Sequence, residues 1–305
     1  MGMDELRAAC AEVAKRARSV RVHSEAIPEY AASLQPARAA TMATPDACRR
    51  PTREQRAAFW LTLDAVNFGS GWFPTLRKRK GRSGYHTIAA GLGDRFAQHG
   101  PWSAAALSEL DAATAAAVWR QNPEHELMAL FAASLRDLGH HLQADHDGSF
   151  TTLIDRAGGS AVELARRLGG WASFADCSRY DELELPFLKR AQIATADLAR
   201  AGVAQFRDLD RLTMFADNLV PHVLRKDGVL SFAPGLVRRI DAGELIEHDS
   251  PEEIEIRACA VHAVELIAAA RPELCAATVD ELLWTRGGGP VYKSSPRHRS
   301  RCTAY

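Results

Sequence analysis

An all-α fold, a single multi-helix domain, is what this sequence of 305 residues predicts, and three observations carry the expectation. Apolar residues recur at three- and four-residue steps along most of the chain. Alanine, leucine and arginine, all good helix formers, dominate its composition. The strict apolar and polar alternation of a half-buried strand is nearly absent. The periodic stretches are 4–18, 52–68, 103–118, 125–137, 160–168, 188–200, 230–240 and 252–269. Turn signals separate them, among them Gly69-Ser70-Gly71, Gly81 with Gly84, Gly100-Pro101, Asp147-Gly148, Gly158-Gly159, Gly169-Gly170 and Asp227-Gly228. Residues 35–51 read as a loop that joins an N-terminal segment, 1–50, to the body on which it packs. The domain is expected to span 1–305, either as one body or as two lobes with the site between them.

Composition narrows the function classes. Lys plus Arg and Asp plus Glu each number 38, so the formal net charge is zero and no global positive field draws in nucleic acid. A stable nucleic-acid partner is therefore not expected. The six cysteines, Cys10, Cys48, Cys177, Cys259, Cys275 and Cys302, include no C-x-x-C pair. That spacing suits neither a zinc site nor a disulfide framework, and reads as the reduced thiols of a cytoplasmic protein. No metal or cofactor is assigned. No apolar run reaches the roughly 18 residues a membrane span needs.

The elements follow in order. The first, in MGMDELRAACAEVAKRARSVRV, is charged and amphipathic. In TREQRAAFWLTLDAVNF, a helix from Thr52 puts Asp64 on one face with Trp60, Asn67 and Phe68. Such a face suits a flat heterocycle, whose ring stacks while Asp64 and Asn67 read its polar edge. It equally suits a packing face with one satisfied acid. The basic run after Gly71, with Arg77, Lys78, Arg79, Lys80 and Arg82, reads as a phosphate-holding loop or as a solvated one. His140, His141, His146 and Asp147 lack a recognisable metal spacing. Ser160 reads as the cap of the helix that begins at Ala161, not as a nucleophile elbow.

In LTMFADNLVPHVLR, Leu212, Phe215, Ala216, Leu219 and Val223 form a helical stripe, and Asp217 projects beside it. Pro221, four residues on, is expected to kink that helix and strip the Asp217 carbonyl of its partner. In SPEEIEIRACAVHAVELIAAARPE, Ser250, Pro251 and Glu253 make a capping box. Arg257 falls in the apolar stripe with Ile254, Val261, Val264 and Ala268, where Glu253 can pair with it. A buried ion pair and direct substrate contact both remain open.

Six segments in order resemble the queuosine-salvage family of queuosine 5′-phosphate N-glycosylases. They are LDAVNF from Leu63, PFLKRAQI from Pro186, LTMFADNLVPHVLRKDGVL from Leu212, DSPEEIEIRACAVHAVE from Asp249, LLWTRG from Leu282 and the tail RHRSRCTAY. The resemblance implies an all-helical fold related to helix-hairpin-helix DNA glycosylases. It also implies hydrolysis of the bond between ribose 5-phosphate and a 7-deazaguanine base, with a small-molecule nucleotide as substrate. The family's catalytic aspartate falls on Asp217, and the lysine of its K-R-A-Q segment falls on Lys189, expected to bind phosphate or ribose. The binding candidates beside Lys189 are Asp64, Asn67, Phe68, Phe215, Arg257, His298 and Arg299. Three departures stand out: Gly69-Ser70-Gly71-Trp72 with its basic stretch where the family has Phe-Trp, Asn218-Leu219 where it has Tyr-Arg, and His222 where it has glutamine. They leave the acid in place and alter its surroundings, so a different modified purine nucleotide is an alternative substrate. A nucleotide-binding protein without catalysis is another reading. A DNA-repair glycosylase would need a basic groove that the charge balance does not suggest.

Overall fold

A computed structural model of the chain describes residues 2–35 and 51–305. The expected loop 35–51 and Cys48 lie almost wholly outside these residues. Among the described residues, fifteen α-helices carry the fold. In chain order they and the short strands are α1 (Met3–Arg16), β1 (Val20–Val22), α2 (Ile27–Ser33), α3 (Arg53–Ala65), α4 (Gly84–His99), α5 (Ala104–Ser108), α6 (Ala112–Trp119), α7 (Glu126–Asp145), α8 (Phe150–Asp155) and α9 (Ala161–Gly169). Then come β2 (Ser178–Tyr180), β3 (Leu183–Leu185), α10 (Lys189–Arg200), α11 (Val220–Lys226), β4 (Leu230–Phe232), α12 (Pro234–Asp241), α13 (Pro251–Ala270), α14 (Ala276–Gly287) and α15 (Pro290–Lys293). Strand is confined, among the described residues, to two antiparallel pairs, β1 with β4 and β2 with β3.

Two apolar clusters organise these elements. One gathers Leu61, Leu63, Leu92, Phe131, Leu138, Leu164 and Leu198 around α3, α7 and α10. The other surrounds α13, which is buried on nearly every face and so reads as a central core helix. Leu6, Cys10 and Val13 of α1 and Val223 of α11 pack on it. Glu255 of α13 accepts from the Arg18, Ser19 and Val20 amides at 3.1, 2.6 and 3.2 Å and from the Tyr180 hydroxyl at 2.8 Å. One buried carboxylate thereby ties the N-terminal segment to the body and satisfies donors that burial would otherwise leave bare. The segment 212–216 runs between the clusters: Phe215 belongs to the first, Met214 and Ala216 to the second.

Several expected elements take a different form. The stretch 103–118 is two helices, α5 and α6, because Asp111 accepts from the Thr114 amide at 2.7 Å and starts a new helix. The stretch 230–240 begins as β4, drawn into pairing by Val20–Val22, and turns helical at Pro234. The stretch 52–68 stops being helical at Ala65, so Asn67 and Phe68 lie in irregular backbone beyond the helix. Residues 212–218 are not helical. Pro221 therefore does not kink a helix; it sits in the first turn of α11, where its missing N–H costs nothing. The helix α4 escaped the periodicity because glycines interrupt it. Gly91 is required there, since a Cβ would strike the Trp119 indole.

Candidate active site

Asp217 is half-buried at the entrance to α11. Its Oδ1 accepts from the Leu219 amide at 2.8 Å and the Val220 amide at 3.2 Å, an Asx turn that fixes the side chain against the helix start. The next residue, Asn218, is buried and donates from Nδ2 to the His298 carbonyl at 3.0 Å. That bond brings the tail alongside the aspartate, and the positive charge of Arg297 acts on Asp217 from there.

Lys189 begins α10 and is fully buried. Its amide donates to Asp176 Oδ2 at 2.9 Å and its ammonium to the Asn67 carbonyl at 2.9 Å. The sequence end of α3 makes this contact available. Ser134 Oγ and Arg190 Nη1 both donate to the Ala65 carbonyl, each at 2.6 Å, so the helix opens and Asn67 turns its carbonyl to the lysine. Burial lowers the Lys189 ammonium below the usual lysine range, against the carboxylates of Asp217 and Asp64 that hold it up. Asp64 has no exposure at all. Its Oδ1 accepts from Asn67 Nδ2 at 3.2 Å, while Oδ2 has no partner. Burial, and then repulsion from Asp197, raises this carboxyl well above the ordinary range.

Beyond Asp64 the acidic field continues. Asp197 on α10 pairs with Arg200 at 2.7 Å, and the same guanidinium reaches Glu281 of α14 at 3.2 Å. Asp280, one residue earlier, is buried and accepts from the Phe215 amide at 3.0 Å. Burial and the neighbouring Asp217 push its carboxyl up. Tyr85, whose hydroxyl feels Asp197 and Asp64, meets Trp284 edge-on with ring centres 6.1 Å apart. Trp284 in turn lies 6.0 Å from His86.

Arg257 sits behind the site, sealed from solvent. Its Nη2 donates to both oxygens of Asp176 at 2.8 and 2.7 Å, and Nε donates to the Ala216 carbonyl at 3.0 Å, next to the aspartate. Its guanidinium stacks over Phe187 at 4.0 Å and Tyr305 at 4.7 Å. Glu253, the partner the spacing suggested, stands at 3.7 Å, and the main counter-ion is Asp176, which no sequence signal marked. Of the two readings left open for Arg257, these contacts describe the buried ion pair. The tail closes over it, with the Gly69 amide donating to the Tyr305 carbonyl at 3.1 Å.

The structure thus brings Asp217, Lys189, Asp64 and Asn67 together and places the remaining candidates around them. Phe68 is in the core, edge-on to Phe131 at 5.1 Å and beneath Arg190 at 4.8 Å. Phe215 is buried and contributes its amide rather than an open ring face. His298 is 2% exposed. Burial drops its imidazole to about 3, so it is neutral and offers no charge to an anion. Arg299 is half-buried near Arg297. The residues that sequence reasoning missed are Asp176, Asp197, Asp280 and Arg297. Asp280 had a signal: it falls three and four residues after Ala277 and Ala276 and three before Leu283, an acid on an apolar stripe. Away from this centre, an open cleft of about 430 Å³ lined by Arg225, Phe232 and Ser295 lies at the far end of α11. His141 stacks on Trp171 at 4.5 Å, with its ring nitrogens 3.8 Å from Asp137 and 3.4 Å from Asp145.

Fold and site together define a helical domain built around a buried, carboxylate-rich centre with one ordered half-exposed aspartate. The model of the family described as queuosine salvage protein matches residues 48–305, and the chain belongs to that family. It is 34% identical to a queuosine 5′-phosphate N-glycosylase/hydrolase of Sphaerobacter thermophilus over 96% of this chain and 95% of that protein. Proteins of the same description from Schizosaccharomyces pombe and Mus musculus are 36% and 31% identical. Those matches cover 49% and 56% of this chain and 45% and 56% of theirs.

Proposed function

We propose that the protein hydrolyses the base–ribose bond of queuosine 5′-monophosphate and releases queuine for reuse in tRNA modification, with Asp217 as the catalytic carboxylate. The observation that carries this reading is the setting of Asp217. It is ordered by two backbone amides, half-exposed, and within the electrostatic reach of both Lys189 and Arg297. Cleavage of an N-glycoside develops positive charge on C1′ and the ring oxygen of the ribose. A fixed carboxylate facing C1′ stabilises that charge, or takes a proton from the attacking water. Because the Asx turn holds the side chain before substrate arrives, little reorganisation is needed at the moment of reaction.

A 7-deazapurine has no N7 to accept a proton, so the base must be helped to leave through its remaining polar edge. Asp64 and Asn67 are assigned to that edge. Burial keeps the Asp64 carboxyl protonated more readily than an exposed one, which suits it to donate as well as accept. The 5′-phosphate is assigned to Lys189 with Arg299 and Arg297, whose binding energy positions C1′ over the aspartate. Asp280, through the Phe215 amide, and Arg257, through the Ala216 carbonyl, hold the backbone that leads into Asp217.

The deciding experiment is mass-spectrometric detection of free queuine after incubation of the purified protein with queuosine 5′-monophosphate, with Asp217→Asn beside the wild type. Release by the wild type and its loss in the variant is the expected result. Ligand binding without release by either would make the protein a nucleotide binder instead.

A further inference from the structure

We propose that the cleft at the far end of α11 binds a small phosphomonoester that carries a flat ring, at a site separate from Asp217. The cleft is about 430 Å³, inside the roughly 300–1,000 Å³ range of small-ligand sites. It opens where the last turn of α11, strand β4, helix α12 and Ser295 meet. The seven residues of α11 separate it from the Asp217 turn, about 10 Å of helix. Its lining divides by chemistry. Phe232 and Val237 give an apolar wall, while Arg225, Lys226, Ser231 and Ser295 give polar groups. The Ser231 hydroxyl is held at 2.9 Å from His23 Nε2.

The two cations single this cleft out. Cations in the last turn of a helix ordinarily serve its free carbonyls or a nearby acid. Here neither does. Arg225 reaches away from α11: Nη2 donates to the Pro296 carbonyl at a long 3.4 Å, and the guanidinium carbon lies 5.3 Å from the centre of the Phe232 ring. Its Nε is sealed from solvent without a hydrogen-bond partner. Lys226 Nζ donates to Ser295 Oγ at 3.2 Å. Among the described residues no carboxylate oxygen lies within 4.0 Å of either cation. Asp227, the next acid in sequence, is already taken: Arg286 pairs with it at 3.1 Å, and the Tyr30 and Tyr292 hydroxyls donate to it at 2.7 Å each. Asp241, the acid in the lining, is exposed and pairs with neither cation. A half-buried guanidinium without a counter-ion is costly, and an anion seated in the cleft supplies one. Two cations and two hydroxyls around one space suit the three terminal oxygens and double charge of a phosphomonoester better than the single charge of a carboxylate. Phe232 and Val237 continue the cleft with a surface against which a ring loses water.

The test places 4-fluorophenylalanine at position 232 and follows its fluorine resonance as phenyl phosphate is titrated into the whole chain. A saturable shift with Kd at or below about 1 mM is expected. It persists in Asp217→Asn, which separates this response from the catalytic site. Lys226→Gln, at an exposed position, and Arg225→Gln, checked for native thermal unfolding, each weaken binding by about tenfold or more. Asp241→Asn binds more tightly, because it removes the repulsive charge from the lining. Inorganic phosphate binds at least about threefold more weakly than phenyl phosphate, and benzoate about tenfold more weakly. No saturable shift would overturn the site, and so would undiminished binding by folded Lys226→Gln and Arg225→Gln. Benzoate as tight as phenyl phosphate would overturn the assignment to a phosphate, and inorganic phosphate as tight would overturn the ring. Weaker binding by Asp241→Asn would show that the cleft reads a cation instead. Should Arg225→Gln not fold, Lys226→Gln decides. Every readout is binding beside Phe232, so failure here leaves the glycosidase reading untouched.

Discussion

At Asp217, a single carboxylate is held by a turn that costs the site nothing when substrate binds. Asp217→Asn keeps an oxygen for the Leu219 and Val220 amides, so the variant is expected to fold and bind while turnover falls by at least about a hundredfold. Product release and thermal unfolding, measured together, separate that result from a folding defect. Arg257 gives the opposite pattern. Removing its guanidinium by Arg257→Met leaves the buried Asp176 without its bidentate partner, at a cost of about 3–5 kcal/mol in urea unfolding. A loss below about 1 kcal/mol would show that Asp176 finds another counter-ion. At this scale the sequence was most informative where an ionisable group sat on an apolar stripe, as Asp64 and Arg257 do. It was silent on Asp176 and Asp197, because their roles depend on partners brought from distant segments.

The elements that frame the site are short, and their ends matter more than their lengths. The segment before Pro221 reads as helix by apolar spacing alone, since Leu212, Phe215, Ala216 and Leu219 mimic a stripe. In the folded protein those residues are divided between two cores, Leu212 and Phe215 in one and Ala216 and Leu219 in the other, and a periodicity argument cannot see two cores at once. The same blindness hides β4, whose pairing partner lies about two hundred residues earlier in the chain. The capped starts of α9 and α13 were legible because Ser160 and Ser250 act within one turn. Glycine at position 71 is required by the tail, since any Cβ there would collide with the Ser300 carbonyl and the Arg301 amide. Gly71→Ala is expected to lift residues 297–305, lower stability by about 1–3 kcal/mol and raise KM more than it lowers kcat, because Arg297 and Arg299 travel with the tail. An unchanged KM would place those arginines outside the binding surface.

Over the whole molecule, pH acts through the contact between the turn before α13 and the tail. His248 would be lowered by burial, but the hydrogen bond to Cys302 and the carboxylate of Glu253 outweigh this and hold it at about 10. Glu253 would be raised by burial, yet the Arg257 charge first and His248 next bring it down to about 2. A raised histidine adds stability below its ordinary value of 6.5, and that contribution fades as pH rises toward 10. A depressed carboxylate adds stability above its ordinary 4.5, and that contribution fades as pH falls toward 2. Their joint contribution is therefore greatest between 4.5 and 6.5. In His248→Gln the alkaline fall in unfolding temperature should flatten; a curve parallel to the wild type would locate the titrating group elsewhere.

The tie between Glu255 and the amides of residues 18–20 also sets an order of events during synthesis. The two ends of that contact are 235 to 237 residues apart. At ribosomal speeds of roughly 5–20 residues per second, α1 emerges on the order of ten to fifty seconds before the helix that will cover Leu6, Cys10 and Val13. Over that interval a nascent amphipathic segment shows its apolar face to its surroundings. The second core therefore closes late, by a long-range search rather than by local zippering, and chaperone capture of the nascent chain is expected to concentrate on its first twenty residues.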